Sequence, residues 1–345
     1  MDNNTKKKIY LFVGLSAVVI TVAVYVFQIF FTANINVGKK HSILLIPEGG
    51  TIKNVQDSLN KHQYVEEIVP FMFVSKLMKF HENVKPGRYL LRNDMTNIEA
   101  IRLLRSGNQE PVKVTFNNAR TLEDLAPKIT RNLQCSAVEF MDAIKDEAFL
   151  SDLGYDSLTV KAIFIPNTYE LYWNTDAKAL IRRMDYEYKR FWNDERKAQA
   201  DKIGLTPFQV SVLASIVQAE TIKPDEKPKV AGLYINRLNR NMLLQSDPTL
   251  VYAHRDFEIK RVLNIHKEIN SPYNTYKFKG LPPAPINVPE IGSLKAVLNH
   301  EKHKYLYMCA KEDFSGYHNF ARTLREHNNN AIRYQRALNR ARIYR

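Results

Sequence analysis

The sequence is short of the residues from which many familiar sites are built. Only two cysteines occur in 345 residues, Cys135 and Cys309, far apart, so neither a disulfide framework nor a paired-thiolate metal knuckle is available. Free cysteine is among the most buried residue types, and both are expected as small apolar core residues. There is no Gly-x-Gly-x-x-Gly, no Walker loop, no Gly-x-Ser-x-Gly elbow and no His-Glu-x-x-His, which leaves nucleotide, serine-hydrolase and zinc-protease chemistry without support. In His300-Glu301-Lys302-His303 the histidines stand three apart, and the stretch reads as a charged helix end or loop. No metal or cofactor is implied. Acidic residues are also scarce, 36 against 50 Lys and Arg, and the formal charge of +14 favours a nucleic acid, an anionic lipid or an anionic polymer as partner. With 12 Gly, 15 Pro and 45% hydrophobic residues the composition is that of a folded chain of two domains or one large one.

Charge is missing altogether from Ile9 to Phe31, an apolar run of 23 residues. That is long enough to cross a bilayer core, and it exceeds the apolar stretch of a cleaved signal. Lys6, Lys7 and Lys8 precede it, while only Lys39 and Lys40 follow nearby, so the basic bias keeps the N-terminus in the cytoplasm. The expectation is a single-pass anchor in the cell (inner) membrane, with about 310 residues outside. That exported part still carries 47 basic against 35 acidic residues. Nucleic acid is then an unsuitable partner, and an anionic envelope polymer or membrane surface a better one.

Beyond the anchor, Ile43–Ile46 reads as a strand, Pro47-Glu48-Gly49-Gly50 as a turn, and Thr51 as the cap of a helix carrying Ile52, Val55 and Leu59. A helix after Pro70, a strand over Gly87–Leu91 and a helix over Asn97–Arg105 stopped by Gly107 complete a small α+β module. The opening recurs: Val112–Phe116 alternates as a strand and Thr121 caps a helix with Leu125 and Ile129 on one face. A domain boundary is expected near 110–160. From Val160 aromatics and prolines thicken, and one charged helix is expected over Ala177–Lys202.

Thr206-Pro207-Phe208-Gln209 combines an N-cap, Pro at the first helical position and Gln three residues after the cap. The helix it starts runs to about Thr221. Leu213, Ile216, Val217 and Glu220 recur at spacings of three and four, so a carboxyl group continues an apolar stripe. Removal from water and the negative end of the helix dipole both raise its pKa, as a general acid requires when it donates to a poor leaving oxygen. A buried ion pair, perhaps with Arg237 on the next helix, is the structural alternative. After that helix, with Val230, Leu233, Tyr234 and Leu238 in its stripe, Met242–Leu244 reads as a strand and Asp247, before Pro248, as a helix N-cap. The loops Ser271–Tyr276, Gly280–Pro283 and Gly316–Phe320 are rich in aromatics and amides, which suits stacking on sugar rings and equally suits rigid turns.

Taken together, these stretches resemble the MltG/YceG family of endolytic murein transglycosylases, membrane-anchored enzymes that cut nascent peptidoglycan glycan strands. The resemblance covers nearly the whole chain. It is carried by the anchor, Pro47-Glu48-Gly49, Phe164–Tyr169, Leu213–Thr221, Ile235–Leu238, Leu244–Thr249, Tyr273–Tyr276, Gly280–Pro283, His318-Asn319-Phe320 and Glu326-His327-Asn328. It implies an α+β fold: tail 1–8, transmembrane helix 9–31, a small LysM-like module over 41–110, and a larger catalytic domain over 111–345. The family's catalytic glutamate maps onto Glu220. Gln245, Asp247, Tyr273, Asn274, Thr275, Tyr276 and His318 would bind substrate. Three acids usual in the family are replaced, by Gln218, Lys161 and Asn167.

In the reaction so implied, Glu220 protonates the oxygen between MurNAc and GlcNAc and then deprotonates the MurNAc 6-hydroxyl, which closes a 1,6-anhydro ring. The partners are peptidoglycan strands, the bilayer through Ile9–Phe31 and peptidoglycan synthases. Two alternatives remain: a hydrolase with Asp247 as base, and a wall-binding scaffold in which the Glu220 helix is only structural. The basic stretch Arg322–Arg345 reads as a solvated helix.

Overall fold

The computed structural model describes residues 2–38 and 40–343. Lys39, counted above in the charge bias, and the last two residues of the C-terminal basic stretch lie outside them. Mixed helix and sheet fall into two compact units. The first contains residues 1–113, 132–134 and 170–175, the second residues 114–131, 135–169 and 176–345.

In the first unit, helix α1 (Asn3–Phe31) is apolar and long enough to cross a membrane by length and composition. After it come β1 (His41–Ile46), α2 (Ile52–Lys61), α3 (Ile68–Leu77), β2 (Gly87–Arg92) and α4 (Asn97–Ser106). β1 and β2 pair antiparallel over their full lengths, from His41 with Arg92 to Ile46 with Gly87. Leu44, Ile46, Val55, Leu59, Phe71, Val74, Tyr89, Leu91, Ile101 and Leu104 close one core, which gives each amphipathic helix a face to bury. α3 begins two residues before Pro70. Pro70 sits in the first turn, where its missing N–H would have no intrahelical partner anyway. α4 ends on Gly107, whose φ of 75° is the left-handed stop expected of glycine.

The second unit carries most of β3 (Val112–Phe116), α5 (Leu122–Ile129), α6 (Ala137–Lys145), α7 (Glu147–Leu153) and β4 (Asn167–Leu171). β3 pairs with β4, the hydroxyls of Thr115 and Thr168 meet at 2.8 Å, and Phe116 stacks on Tyr169. The single charged helix expected over Ala177–Lys202 is two helices, α8 (Ala177–Phe191) and α9 (Asp194–Lys202). The break has a local cause: the Asn193 side chain accepts from the Arg196 N–H and starts a new helix there.

α10 (Pro207–Glu220) is the axis of the second unit, fully buried from Val210 to Val217 and packed against α11 (Lys227–Asn239) and α13 (Ile291–Leu298). Thr206 and Gln209 cap its start reciprocally, each accepting the other's backbone N–H. Between α11 and α12 (Asp247–His254), Met242–Leu244 is not a strand. It is an extended loop, its carbonyls taken by the Arg237 guanidinium instead of a neighbouring strand. The last elements are the antiparallel pair β5 (Tyr307–Ala310) and β6 (His318–Ala321), and α14 (Leu324–Arg340). On α11, Gly232 leaves room for the Glu301 carbonyl, which a Cβ would meet at 2.3 Å. The His300–His303 stretch lies after α13 outside any helix, with His303 Nε2 2.8 Å from the Lys229 carbonyl.

Candidate active site

α10 delivers Glu220 at its last residue, at the floor of a cleft of about 210 Å³ in the second unit. α11 contributes Leu233, Tyr234 and Arg237, the loop into α12 Leu244, Gln245 and Asp247, β5 Met308, Cys309 and Ala310, and two more elements Tyr276 and His318. Glu220 itself is half-buried.

Two hydroxyls converge on one oxygen of that carboxyl. Tyr234 Oη donates to Glu220 Oε1 at 2.6 Å and Ser246 Oγ donates to the same atom at 2.5 Å. Oε2 has no hydrogen-bond partner among the described residues. Burial pushes the carboxyl above the ordinary carboxylate range, and the nearby Asp247 carboxylate adds to the effect. The Ser246 and Tyr234 hydroxyls and His318 act in the opposite direction without reversing it. With Oε1 occupied as an acceptor, the proton of the neutral acid belongs on Oε2. Tyr234, buried beside Glu220, has its own pKa raised well above the usual value and stays a donor.

The structural alternative, a Glu220–Arg237 ion pair, is not formed among the described residues. Arg237 is buried and gives its donors to the Leu306, Leu243 and Leu244 carbonyls and to Gln245 Oε1. It thereby holds the loop that carries Gln245, whose φ of 53° is costly for a side-chain-bearing residue. The Gln245 N–H is tied to the Thr275 carbonyl at 3.0 Å.

Of the residues singled out in the sequence, Glu220, Gln245, Asp247, Tyr276 and His318 line this cleft. Tyr276 Oη donates to Asp247 Oδ1 at 2.5 Å. The His318 backbone N–H and ring Nδ1 are 2.7 and 2.8 Å from the two carboxylate oxygens of buried Glu226, and the ring's Nε2 has no hydrogen-bond partner among the described residues.

Tyr273, Asn274 and Thr275 are not on the cleft wall. Asn274 is fully buried; its amide donates to the Lys267 and Ile269 carbonyls and accepts from the Tyr276 N–H, folding its own loop. Thr275 Oγ1 accepts from the Ser246 N–H and meets Thr249 Oγ1, bracing the segment behind Glu220. Tyr273 packs on Tyr252, ring centroids 4.8 Å apart. The α12 cap is Ser246, one residue earlier than expected, with Asp247 inside the first turn. Cys135 is buried as expected, but Cys309 is half-buried on the cleft wall.

Sequence reasoning passed over Tyr234 and Ser246 as ligands of Glu220. Tyr234 was absorbed into the apolar stripe of α11, and Ser246 into a turn. Nothing local marks either hydroxyl as directed at a carboxyl 14 or 26 residues away. Of the three acid-replacing residues, Asn167 is exposed and accepts from the Thr168 N–H at 2.8 Å, while the other two have partners across the fold. Gln218 accepts from the Glu290 N–H and Ser293 Oγ and donates to Asn287 and Val288. Lys161 is buried, donates to Tyr252 Oη at 2.8 Å, and burial pulls its pKa down to about 7.

The sequence profile of the YceG-like family matches residues 44–333. The chain belongs to the YceG-like family. Endolytic murein transglycosylases of two Streptococcus pneumoniae strains are 28% identical to it over 306 residues, which is 79% of this chain and 54% of theirs. The chain thus spans about half the length of these pneumococcal relatives. The Bacillus subtilis endolytic murein transglycosylase is 28% identical over 308 residues, 84% of this chain and 83% of that one. A yceG-like protein of Listeria monocytogenes shares the fold, with a TM-score of 0.52 at 24% identity over 84% of this chain and 98% of the other. A YceG-like fold therefore frames the Glu220 cleft.

Proposed function

We propose that the chain is an endolytic peptidoglycan lytic transglycosylase, cleaving MurNAc–GlcNAc bonds and leaving 1,6-anhydroMurNAc ends. The observation that carries this is the cleft-lining Glu220 carboxyl, its pKa raised by burial and one of its oxygens, Oε1, clamped by two hydroxyls. Oε2 donates its proton to the glycosidic oxygen as an oxocarbenium-like sugar develops. The carboxylate left behind is stabilised by the Ser246 and Tyr234 hydroxyls, which bind the charged form more strongly than the neutral one. It then takes the proton of the MurNAc 6-hydroxyl as that oxygen attacks C1. The nucleophile arrives within the substrate, so its high effective concentration stands in for a second carboxylate and a bound water. Gln245, Asp247, Tyr276 and His318 orient the sugars.

A hydrolytic reading has one observation in its favour, the Asp247 carboxylate in the same cleft. Digestion of purified sacculi by the detergent-solubilised chain, with mass analysis of the new termini, separates the two by one water per cut. Anhydro ends support the transglycosylase and reducing ends overturn it. A Glu220→Gln chain that still cuts at the wild-type rate overturns catalysis by this residue.

The remaining assignments belong to the same reading. The β–α–α–β order of the first unit and its antiparallel β1–β2 pair support a LysM-like module over 41–110 ahead of a catalytic domain over 111–345. Ile9–Phe31 anchors the chain in the cytoplasmic membrane as a single pass with the N-terminus inside, close to peptidoglycan synthases that supply nascent strands.

A further inference from the structure

Within the first unit, α3 has an outward face that its own core does not explain. Phe71 and Val74 are buried in that core, whereas Val69, Phe73 and Leu77, four residues apart along the helix, are 71%, 54% and 61% exposed. A ten-residue helix that is apolar on both faces is out of place in water. It is also too short to cross a bilayer.

Its location supplies the reason. The Phe73 ring packs edge-on against Phe30 of α1, with centroids 6.4 Å apart. A cavity of about 310 Å³ beside Pro70 is lined on its other side by Tyr25, Gln28, Ile29 and Thr32. α3 therefore lies level with the last two turns of α1, down to Tyr25, which at 1.5 Å per residue is about 9 Å before Phe31. The level is fixed by hydrogen bonds. Asn97 Nδ2 donates to the Ile29 carbonyl at 2.9 Å, Asn34 Nδ2 donates to Asn97 Oδ1 at 2.7 Å, and the Asn34 side chain also holds the Glu67 backbone at the start of α3. The chain leaving α1 bridges at once to the module, Ala33 with Thr96 and Ile35 with Val65.

We propose that α3 lies in the outer membrane–water interface, with Val69, Phe73 and Leu77 in lipid, so that the first unit is seated on the bilayer and not tethered above it. This rests on α1 being a retained anchor. An apolar span of 23 residues is about 34 Å long against a hydrocarbon core of about 30 Å, so the last turns of α1 reach the headgroup boundary, and α3 shares that depth. Exposed Lys76 and Lys79 at the end of α3 extend toward anionic headgroups. A short helix with one face in lipid and the opposite face in a protein core is stable in that position.

The test is photo-crosslinking in native membranes, with benzoylphenylalanine replacing Phe73, Val22 or Asp57 in the full chain. Lipid adducts at Val22 and Phe73, and none at exposed Asp57, are the expected result. A protein adduct at Phe73, or no adduct there while Val22 is lipid-linked, overturns the seating alone. Absence of lipid adducts at Val22 removes the anchor and the seating with it.

Discussion

Ser246 caps α12 by position but not by side chain: its hydroxyl is given to Glu220 Oε1 at 2.5 Å. An N-cap serine normally satisfies a helix N–H, and forgoing that bond costs about 1 kcal/mol. The backbone of Ser246 is instead held by Thr249 and Thr275, which leaves the hydroxyl available to the acid.

Removing either clamp shifts the acid in a defined direction. Hydroxyl donors favour the charged carboxylate, so Ser246→Ala or Tyr234→Phe raises the Glu220 pKa further. The alkaline limb of kcat/KM should move to higher pH in both variants while the rate falls about 10- to 100-fold, since each donor also stabilises the carboxylate formed in the transition state. An unmoved limb in both variants would contradict the clamp.

Glu220→Gln exchanges activity for stability. A folded-state pKa raised above the ordinary carboxyl value of 4.5 means that burial disfavours the charged form, so this group costs stability once pH has risen through its folded pKa and costs nothing well below 4.5. The amide carries no such cost. Thermal unfolding at pH 5 and at pH 9 should show the variant gaining on the wild type at the higher pH, with cutting of sacculi lost at both.

Lys161 makes the converse case. Its pKa falls from 10.5 in the unfolded chain to about 7 in the fold, so the penalty is fully present below pH 7 and disappears as pH rises through 10.5. Lys161→Met should raise stability by roughly 1–4 kcal/mol at pH 6 and by little at pH 10.5, measured by denaturant unfolding.

Glu226 holds His318 by backbone and ring together, and Glu226→Gln loses the charged half of that hold. We expect kcat/KM on glycan strands to drop about tenfold or more, as for other imidazoles deprived of an orienting carboxylate, with the thermal midpoint little changed. A loss of folding without a kinetic change would mark Glu226 as purely structural.

How much of this was legible depended on range in sequence. The caps at Thr121 and Thr206 and the stop at Gly107 are decided within four residues, and they stand where the residue pattern puts them. The position of Glu220 on the buried side of its helix's last turn also follows from spacing. The split at Asn193 was hidden because the charged residues on either side suit a helix equally well. Asn274 and Thr275 looked like sugar ligands because free amides and hydroxyls are; their partners are carbonyls and hydroxyls of folded loops, invisible to composition. The loop from Met242 has the β-friendly residues of a strand, but a guanidinium from the preceding helix occupies its carbonyls.

Both hydroxyls meet the acid on the same oxygen, so it can release its hydrogen toward one side only. A glycan is a polymer with two unlike ends. Under the proposed function, a donor facing one way requires every bond it breaks to be presented in the same orientation, which gives the bound strand a defined head and tail across Glu220.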